Sequence, residues 1–469
     1  MSRKGVILRV TDFRSLVHRV LKTRPGEHAL LAWAAAYFYF LMASYYVMRP
    51  LRDELGTAGG VDDLKWLFSC SLLAMLILNP VYSWLVARFR REVFIPLVYV
   101  FFAINIFIFF VLFRTASDQG LIYLGRTFYV WCAVFILFVV SVFWSLMVDL
   151  LTSDQAKRLF GSIAVGGTLG AISGSAITRS YIKSIEMQNF FLLAVVLLLL
   201  SVVCMLALTW IVNKRQMGEE SSPCRTPVTK AIGGSVWSGI GQVFRSRYLL
   251  GICGFVLIYT ITNTYVYLAK IQLGREMIER STDRIAFFAN IDLFANVLTV
   301  LVQVFLTSRL LTRLGIGITL TILPGISVIG FVVLAWSFRD IDPALSTTAG
   351  SAALVITGFE SIRRACNYAL ARPAREALFT VLGREETYKS KSFIDTFIYR
   401  GGDQVGVWSH GLMSEVMLLS MATIALIAVP LAGIWLVLGL RLGRTQHQLD
   451  RQMKTASAPG ITPVSTIAD

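Results

Sequence analysis

The sequence predicts an all-α polytopic membrane protein of about twelve transmembrane helices in two six-helix bundles. Three observations carry this. Of 469 residues, 56% are hydrophobic and only 15% charged, and the mean hydropathy is +0.67. Soluble domains average about 25% charged residues, so a chain this long and apolar has no aqueous fold that hides its surface. Apolar runs of about 20 residues, the length that crosses a hydrocarbon core, recur along the chain. A polar break divides these runs six and six. Such a composition excludes a soluble enzyme, a disordered scaffold and a secreted disulfide domain. It also turns the net charge of +16 away from nucleic acid and toward membrane topology.

The first six runs are Ala29–Met48, Leu64–Val86, Val93–Phe113, Leu121–Leu151, Phe160–Ile182 and Phe190–Val212. The break from Lys214 to Arg247 carries Glu219, Glu220, Ser221, Ser222, Pro223 and Pro227, a linker composition without apolar period. Six more runs follow: Tyr248–Ala269, Ile285–Thr307, Gly315–Trp336, Ala349–Leu370, Phe393–Met413 and Val416–Leu440. The implied organisation is a tail over residues 1–26, a bundle over 27–213, a linker over 214–246, a bundle over 247–442 and a tail over 443–469. In the first tail Val6, Val10, Phe13, Val17 and Leu21 recur near helical spacing beside Arg9, Arg14, Arg19 and Lys22. This basic amphipathic stretch suits either an anionic leaflet or a solvated tail. Charge interrupts its apolar residues, which argues against a signal peptide. The polar segment after Arg444 reads as disordered.

Lys and Arg set the orientation, because cytoplasmic loops hold the excess. If the N-terminus is cytoplasmic, 29 of the 44 lie on the cytoplasmic side and 11 on the other. Both termini are therefore expected inside the cell's inner (cytoplasmic) membrane. The remaining four, Arg126, Arg363, Arg364 and Arg400, fall within the spans.

The six cysteines form no Cys-x-x-Cys pair and read as small buried hydrophobes, and the four histidines are too dispersed for a metal site. No phosphate-binding loop, nucleophile elbow or metal-ligand helix is present. The expectation is a secondary carrier without cofactor or enzymatic activity. Its partners are a small anionic solute and the bilayer, not nucleic acid, and a monomer is the expected state.

An Arg at the bilayer centre costs about 2.5–3.5 kcal/mol on insertion scales, so intramembrane arginines are candidate site residues. Arg126 opens the fourth span, and Arg363 and Arg364 lie in the tenth, its counterpart in the second half. Guanidinium groups on related helices can grip one multivalent anion. The alternative is local neutralisation, for example by Glu360 one turn before Arg364. Arg400 and Asp403 form a pair three residues apart in the eleventh span, with either a binding or a neutralising role. Asp149 in the fourth span and Asp292, with Asn290 and Asn296, in the eighth are further polar groups, and an acid among these can couple protons. Arg49-Pro50-Leu51-Arg52-Asp53-Glu54-Leu55 is echoed by Arg372-Pro373-Ala374-Arg375-Glu376-Ala377-Leu378. Proline frees a backbone carbonyl, and alternating Arg and acid can exchange partners in a gate. Ser162, Gly166, Gly170 and Gly174 recur every four residues, a close-packing stripe expected between the two halves. Tyr45, Tyr46, Tyr129, Tyr259 and Tyr265 are either base-stacking rings or ordinary span residues.

Taken together, Arg49-Pro-Leu-Arg52-Asp53, Phe143-Trp144, Thr152-Ser-Asp154-Gln-Ala156-Lys157-Arg158 with Gly166, Ser246-Arg247-Tyr248-Leu249, and Tyr368-Ala-Leu370 through Pro373, Arg375-Glu376, Lys389, Lys391 and Ile394-Asp395 resemble the ATP/ADP translocase family of plastids and intracellular bacteria. The matches occur in order and cover most of the chain. The resemblance implies the major facilitator fold and nucleotide transport, in many members by exchange of ATP for ADP and phosphate. By position Arg52 resembles the family's lysine after the first helix, and Arg375 the basic residue before the acid that follows helix 10. Lys389, Lys391 and Asp395 resemble its Lys-x-Lys and Ile-Asp patterns. Acids expected near Ala133 and Tyr267 are absent, and Arg stands for Lys at 52 and 375, so ATP itself does not carry over as substrate.

The resulting expectation is a transporter of a nucleotide or similar anionic metabolite. Arg52, Arg126, Arg363, Arg364 and Arg400 would bind substrate. Arg49, Asp53, Asp149, Arg372, Arg375, Glu376, Lys389, Lys391, Asp395 and Asp403 would gate or couple. Proton-coupled transport of another solute and a transporter-like scaffold are the alternatives.

Overall fold

The structure is a computed structural model that describes residues 27–88, 91–218, 243–339, 346–382, 390–391 and 393–456. The amphipathic tail over 1–26, the linker over 219–242, Lys389 and the tail from 457 lie outside the described residues.

Helices follow the apolar runs in order. They are α1 (His28–Gly56), α2 (Leu64–Arg88), α3 (Arg91–Thr115), α4 (Asp118–Leu150), α5 (Ser153–Tyr181), α6 (Asn189–Gly218), α7 (Arg247–Met277), α8 (Ser281–Val302), α9 (Gly315–Arg339), α10 (Ser346–Cys366), α11 (Tyr399–Gly411) and α12 (Met421–Ala456). Among the described residues nine are long and apolar enough to cross a membrane: α1, α3 to α9 and α12, with α8 counted through to Arg313. α2 contributes the shorter apolar stretch Leu64–Leu78. α10 carries Glu360, Arg363 and Arg364, and the 13-residue α11 carries Arg400 and Asp403. Local chemistry sets several starts. The Ser117 hydroxyl accepts from the Gly120 amide at the start of α4, and Thr152 and Gln155 form a reciprocal capping box at α5.

The chain sorts into two compact units, Met1–Cys224 with Ile278–Asn296, and Arg225–Met277 with Val297–Asp469. The sequence pattern assigned all of α8 to the second bundle. Its first half sorts instead with α1 to α6, to which ion pairs tie it.

In the first unit α5 lies against α1. A Cβ on Gly166, Gly170 or Gly174 would run into the carbonyl oxygens of Ala35, Tyr39 or Ala43, while Ser162 is half-buried one turn earlier. The stripe was expected between the halves, but its close neighbours are α1 carbonyls of the same unit. Two helices approach this tightly only where side chains are nearly absent. Around this contact Phe38 stacks on Phe143 at 4.2 Å. Tyr37 and Tyr99 share a buried hydroxyl–hydroxyl bond, and the Tyr99 hydroxyl also reaches the Val139 carbonyl at 3.1 Å. Without water, such buried hydroxyls need partners of this kind.

In the second unit α11 packs on α7, with Gly402 facing Thr260 and Gly406 facing Thr264. α9 crosses α12 where Gly317 meets Gly443. α10 does not end cleanly. It opens into a π turn (Asn367–Ala371) and continues as the short helix Arg372–Leu378. A second π turn (Ile394–Ile398) leads into α11.

Candidate functional site

The π turn at the end of α10 has a chemical cause. Pro373 has no N–H to give the carbonyl four residues before it, that of Ala369. The Thr307 hydroxyl supplies the bond instead, at 2.8 Å, from a π turn (Gln303–Thr307) that follows α8. The widened backbone turns Tyr368, Arg372 and Arg375 toward a common space, in keeping with the frequency of π turns at functional sites.

That space is a cavity of about 390 Å³ within the second unit, in the usual range for small-molecule sites. α7 contributes Phe255, Val256 and Tyr259, and α9 contributes Leu323. The α10 turn and short helix contribute Asn367, Tyr368, Ala371, Arg372, Arg375 and Glu376. Lys391, Asp395, Tyr399 and Arg400 come from the start of α11 and the turn before it, and Trp435 from α12. Among the described residues, four cationic side chains therefore face two acids. Both acids are already engaged: Glu376 with Lys391 at 2.5 Å and Asp395 with Arg375 at 3.1 Å. Arg375 also lies 4.0 Å from Glu376. Arg372 lies over Tyr368 at 5.9 Å, and Arg400 reaches Asp403 only at 3.5 Å. The surplus of positive charge in a partly enclosed space concentrates anions.

Six residues singled out from the sequence meet here: Arg372, Arg375, Glu376, Lys391, Asp395 and Arg400. Asp403 stands beside them through Arg400. Arg363 and Arg364 do not line the cavity. Arg363 is 1% exposed, and its guanidinium is spent on neighbouring helices. It donates to the Thr262 carbonyl at 2.7 Å, the Thr262 hydroxyl at 2.6 Å, the Tyr259 carbonyl at 3.4 Å and the Ser327 hydroxyl at 3.2 Å. Aromatic rings of Tyr259, Phe331 and Trp435 surround it at 5.8–6.0 Å. It clamps α10 to α7 and α9. Arg364 is buried beside it, 6% exposed.

In the first unit Arg126 is bound by Asp63 and lies over Tyr123. It lines a different space, an apolar groove of about 650 Å³ between α2 and α4 that includes Trp66, Leu67 and Trp131. Arg126 thus has its partners within the first unit, and Arg363 within the second. Arg126 has a carboxylate partner, and Arg363 bonds carbonyls and hydroxyls where local neutralisation calls for an acid. Arg52 turns to its neighbour Asp53 at 2.5 Å and lies over Tyr129 at 5.0 Å. Asp149 is exposed near the end of α4.

Three ion pairs hold the first half of α8 to the first unit. Arg49 meets Asp292 at 3.1 Å, Lys183 meets Asp283 at 2.6 Å, and Arg284 grips Glu54 through two bonds of 2.8 and 2.7 Å. Arg284 also donates to the Ile278 and Glu279 carbonyls at 2.6 and 2.7 Å. The sequence pattern singled out Arg49 and Asp292 and held Glu54 within the Arg49–Leu55 run, but not Lys183, Asp283 or Arg284, whose complementary charge was the available signal. The Arg284–Glu54 side chains are 11% and 5% exposed, and breaking a buried pair costs about 3–5 kcal/mol. Glu54→Gln is expected to lower the melting midpoint in detergent. The swap Glu54→Arg with Arg284→Glu should recover part of it, less the two carbonyl bonds. Equal melting of all three proteins would show that the pair is not stabilising.

The aromatic wall of the cavity was largely missed from sequence. Tyr259 was noted as a ring and Tyr368 only within the family motif, because Phe255, Tyr399 and Trp435 look like any ring in an apolar span.

Residues 29–366 match the family model of the Major Facilitator Superfamily. ADP,ATP carrier protein 1 of Chlamydia trachomatis serovar D is 25% identical over 287 residues, covering 56% of this chain and 54% of that carrier. The chain thus spans about half the length of this curated relative. The nucleoside transporter NupG superposes with a TM-score of 0.51 at 13% identity, covering 91% of this chain and 100% of that one. A point mutant of NupG superposes at 0.57 and 12% identity, covering 88% and 99%. At these identities the structural likeness concerns the fold. The family match runs from α1 to the end of α10, through spans of both units, and the chain belongs to the major facilitator superfamily.

Proposed function

We propose that the protein is a secondary active transporter of a nucleotide or a similar multiply charged phosphorylated metabolite, working by alternating access, and that the cavity of the second unit holds the anion. The observation that carries this reading is the pairing within one cavity, among the described residues, of four cations, two of them engaged by acids of its wall, with a wall of aromatic rings. Guanidinium and ammonium groups suit phosphate oxygens, and rings suit a base. The named activity of the Chlamydia carrier agrees in chemical class.

In this reading Arg372 and Arg400 meet the phosphates first. Further phosphate oxygens then compete with Glu376 for Lys391 and with Asp395 for Arg375. The two acids lose their partners as substrate binds, which loosens the link between the α10 extension and the start of α11. A carrier needs such a coupling, since a ligand shifts a conformational equilibrium only by binding its states differently. The Lys and Arg bias of the sequence suits a cavity open toward the cytoplasm.

The test is counterflow in vesicles containing the full chain. Unlabelled ATP, ADP or another nucleotide inside is expected to accelerate uptake of labelled nucleotide. If no nucleotide does so, the nucleotide reading fails. The half-buried Asp403 beside Arg400 favours one second reading, coupling to protons. In that case a pH gradient alone drives accumulation, and Asp403→Asn abolishes the drive.

A further inference from the structure

Trp435 is fully buried and lines the same cavity. Its ring lies 5.3 Å from Phe255 and 5.9 Å from Tyr259, and Tyr259 in turn lies 6.1 Å from Tyr399, so the rings form a continuous wall. The Trp435 indole nitrogen has no hydrogen-bond partner. An indole N–H can only donate, and a buried donor left alone loses its hydration without return. Neither Glu376 nor Asp395, the acids of the described cavity wall, accepts a bond from it. Arg363, the cation nearest its ring at 6.0 Å, is itself a donor. The Nε of Arg375 is a second buried donor in the cavity wall without a partner. Neither donor has an acceptor among the described residues.

We propose that the indole N–H of Trp435 donates a hydrogen bond to a ring nitrogen of a purine base and so selects the base. This rests on the reading that the cavity binds a nucleotide, with the phosphates on the cationic side and the base against the rings. A site that hydrogen-bonds its ligand discriminates strongly against an analogue lacking the partner atom, because the buried donor is then stranded. Stacking alone would tolerate every base.

The experiment measures inhibition of labelled ATP uptake in vesicles by ATP, by 1-, 3- and 7-deaza-ATP, and by inorganic tripolyphosphate, for the wild-type chain and for Trp435→Phe. In the wild type, one deaza analogue is expected to compete about tenfold less well than ATP. Trp435→Phe should weaken ATP to the level of that analogue and leave both the analogue and tripolyphosphate unchanged. If the three deaza analogues match ATP in the wild type, the proposal is overturned without any variant, while the nucleotide reading stands. Equal weakening of ATP, analogues and tripolyphosphate in Trp435→Phe assigns the ring a packing role and also overturns it. Absence of nucleotide uptake by the wild type removes both readings.

Discussion

Replacing Arg372 by Gln is expected to raise the nucleotide concentration for half-maximal uptake by about tenfold to a hundredfold, since a hydrogen bond to a charged group contributes about 1.5–3 kcal/mol. Arg372 lines the cavity, and no acid of the cavity wall engages it as Asp395 engages Arg375. The loss should fall with the number of phosphates, being large for ATP and smaller for AMP. Arg400→Gln should behave alike, with a lesser loss if Asp403 already holds much of its charge at 3.5 Å. Raised salt should weaken the wild type more than the variants, because screening acts on the charge they have lost. A uniform loss across ATP, ADP and AMP would mean that Arg372 shapes the α10 turn and does not meet phosphate.

Arg363→Ala is expected to lower stability by about 3–5 kcal/mol, the range for removing a large, well-bonded core side chain. The four bonds from its guanidinium join α10 to α7 and α9, so their removal loosens the frame on which the cavity is built. The melting midpoint in detergent should fall sharply, and any protein that still folds should bind ATP and AMP with similar loss. The opposite pattern, unchanged melting with a loss that grows with phosphate number, would return Arg363 to substrate binding. Arg363 and Arg372 are both arginines of the tenth helix region. Their predicted variants differ because one is saturated by protein acceptors and the other faces open space.

Much of the fold was legible in the residues. The length and order of the apolar runs anticipate the helices, because a segment without water must satisfy its backbone internally and so must be helical. The charged residues of the second half were legible for a related reason. Arg372, Arg375, Lys391 and Arg400 stand out against an apolar background, and six of the residues they drew attention to line one cavity. Their grouping was not legible. It depends on the Pro373 break, on Thr307 capping the freed Ala369 carbonyl, and on the π turns at Asn367–Ala371 and Ile394–Ile398. A sequence shows the proline but not the partner that makes its break tolerable.

The glycine stripe of α5 and the intramembrane arginines show the same limit. Period-four small residues require a close neighbour, yet nothing in them says which, and α1 takes that place. Likewise a buried arginine requires acceptors, but not their source. Arg126 found Asp63, and Arg363 found the carbonyls and hydroxyls of α7 and α9. By itself, then, the sequence determined that the chain is a helical membrane protein with charged residues too costly to be incidental, because composition and period report directly on transfer from water to lipid. Only the tertiary structure decided which charges find partners within the protein, because that depends on partners distant in the chain and brought within bonding distance by folding.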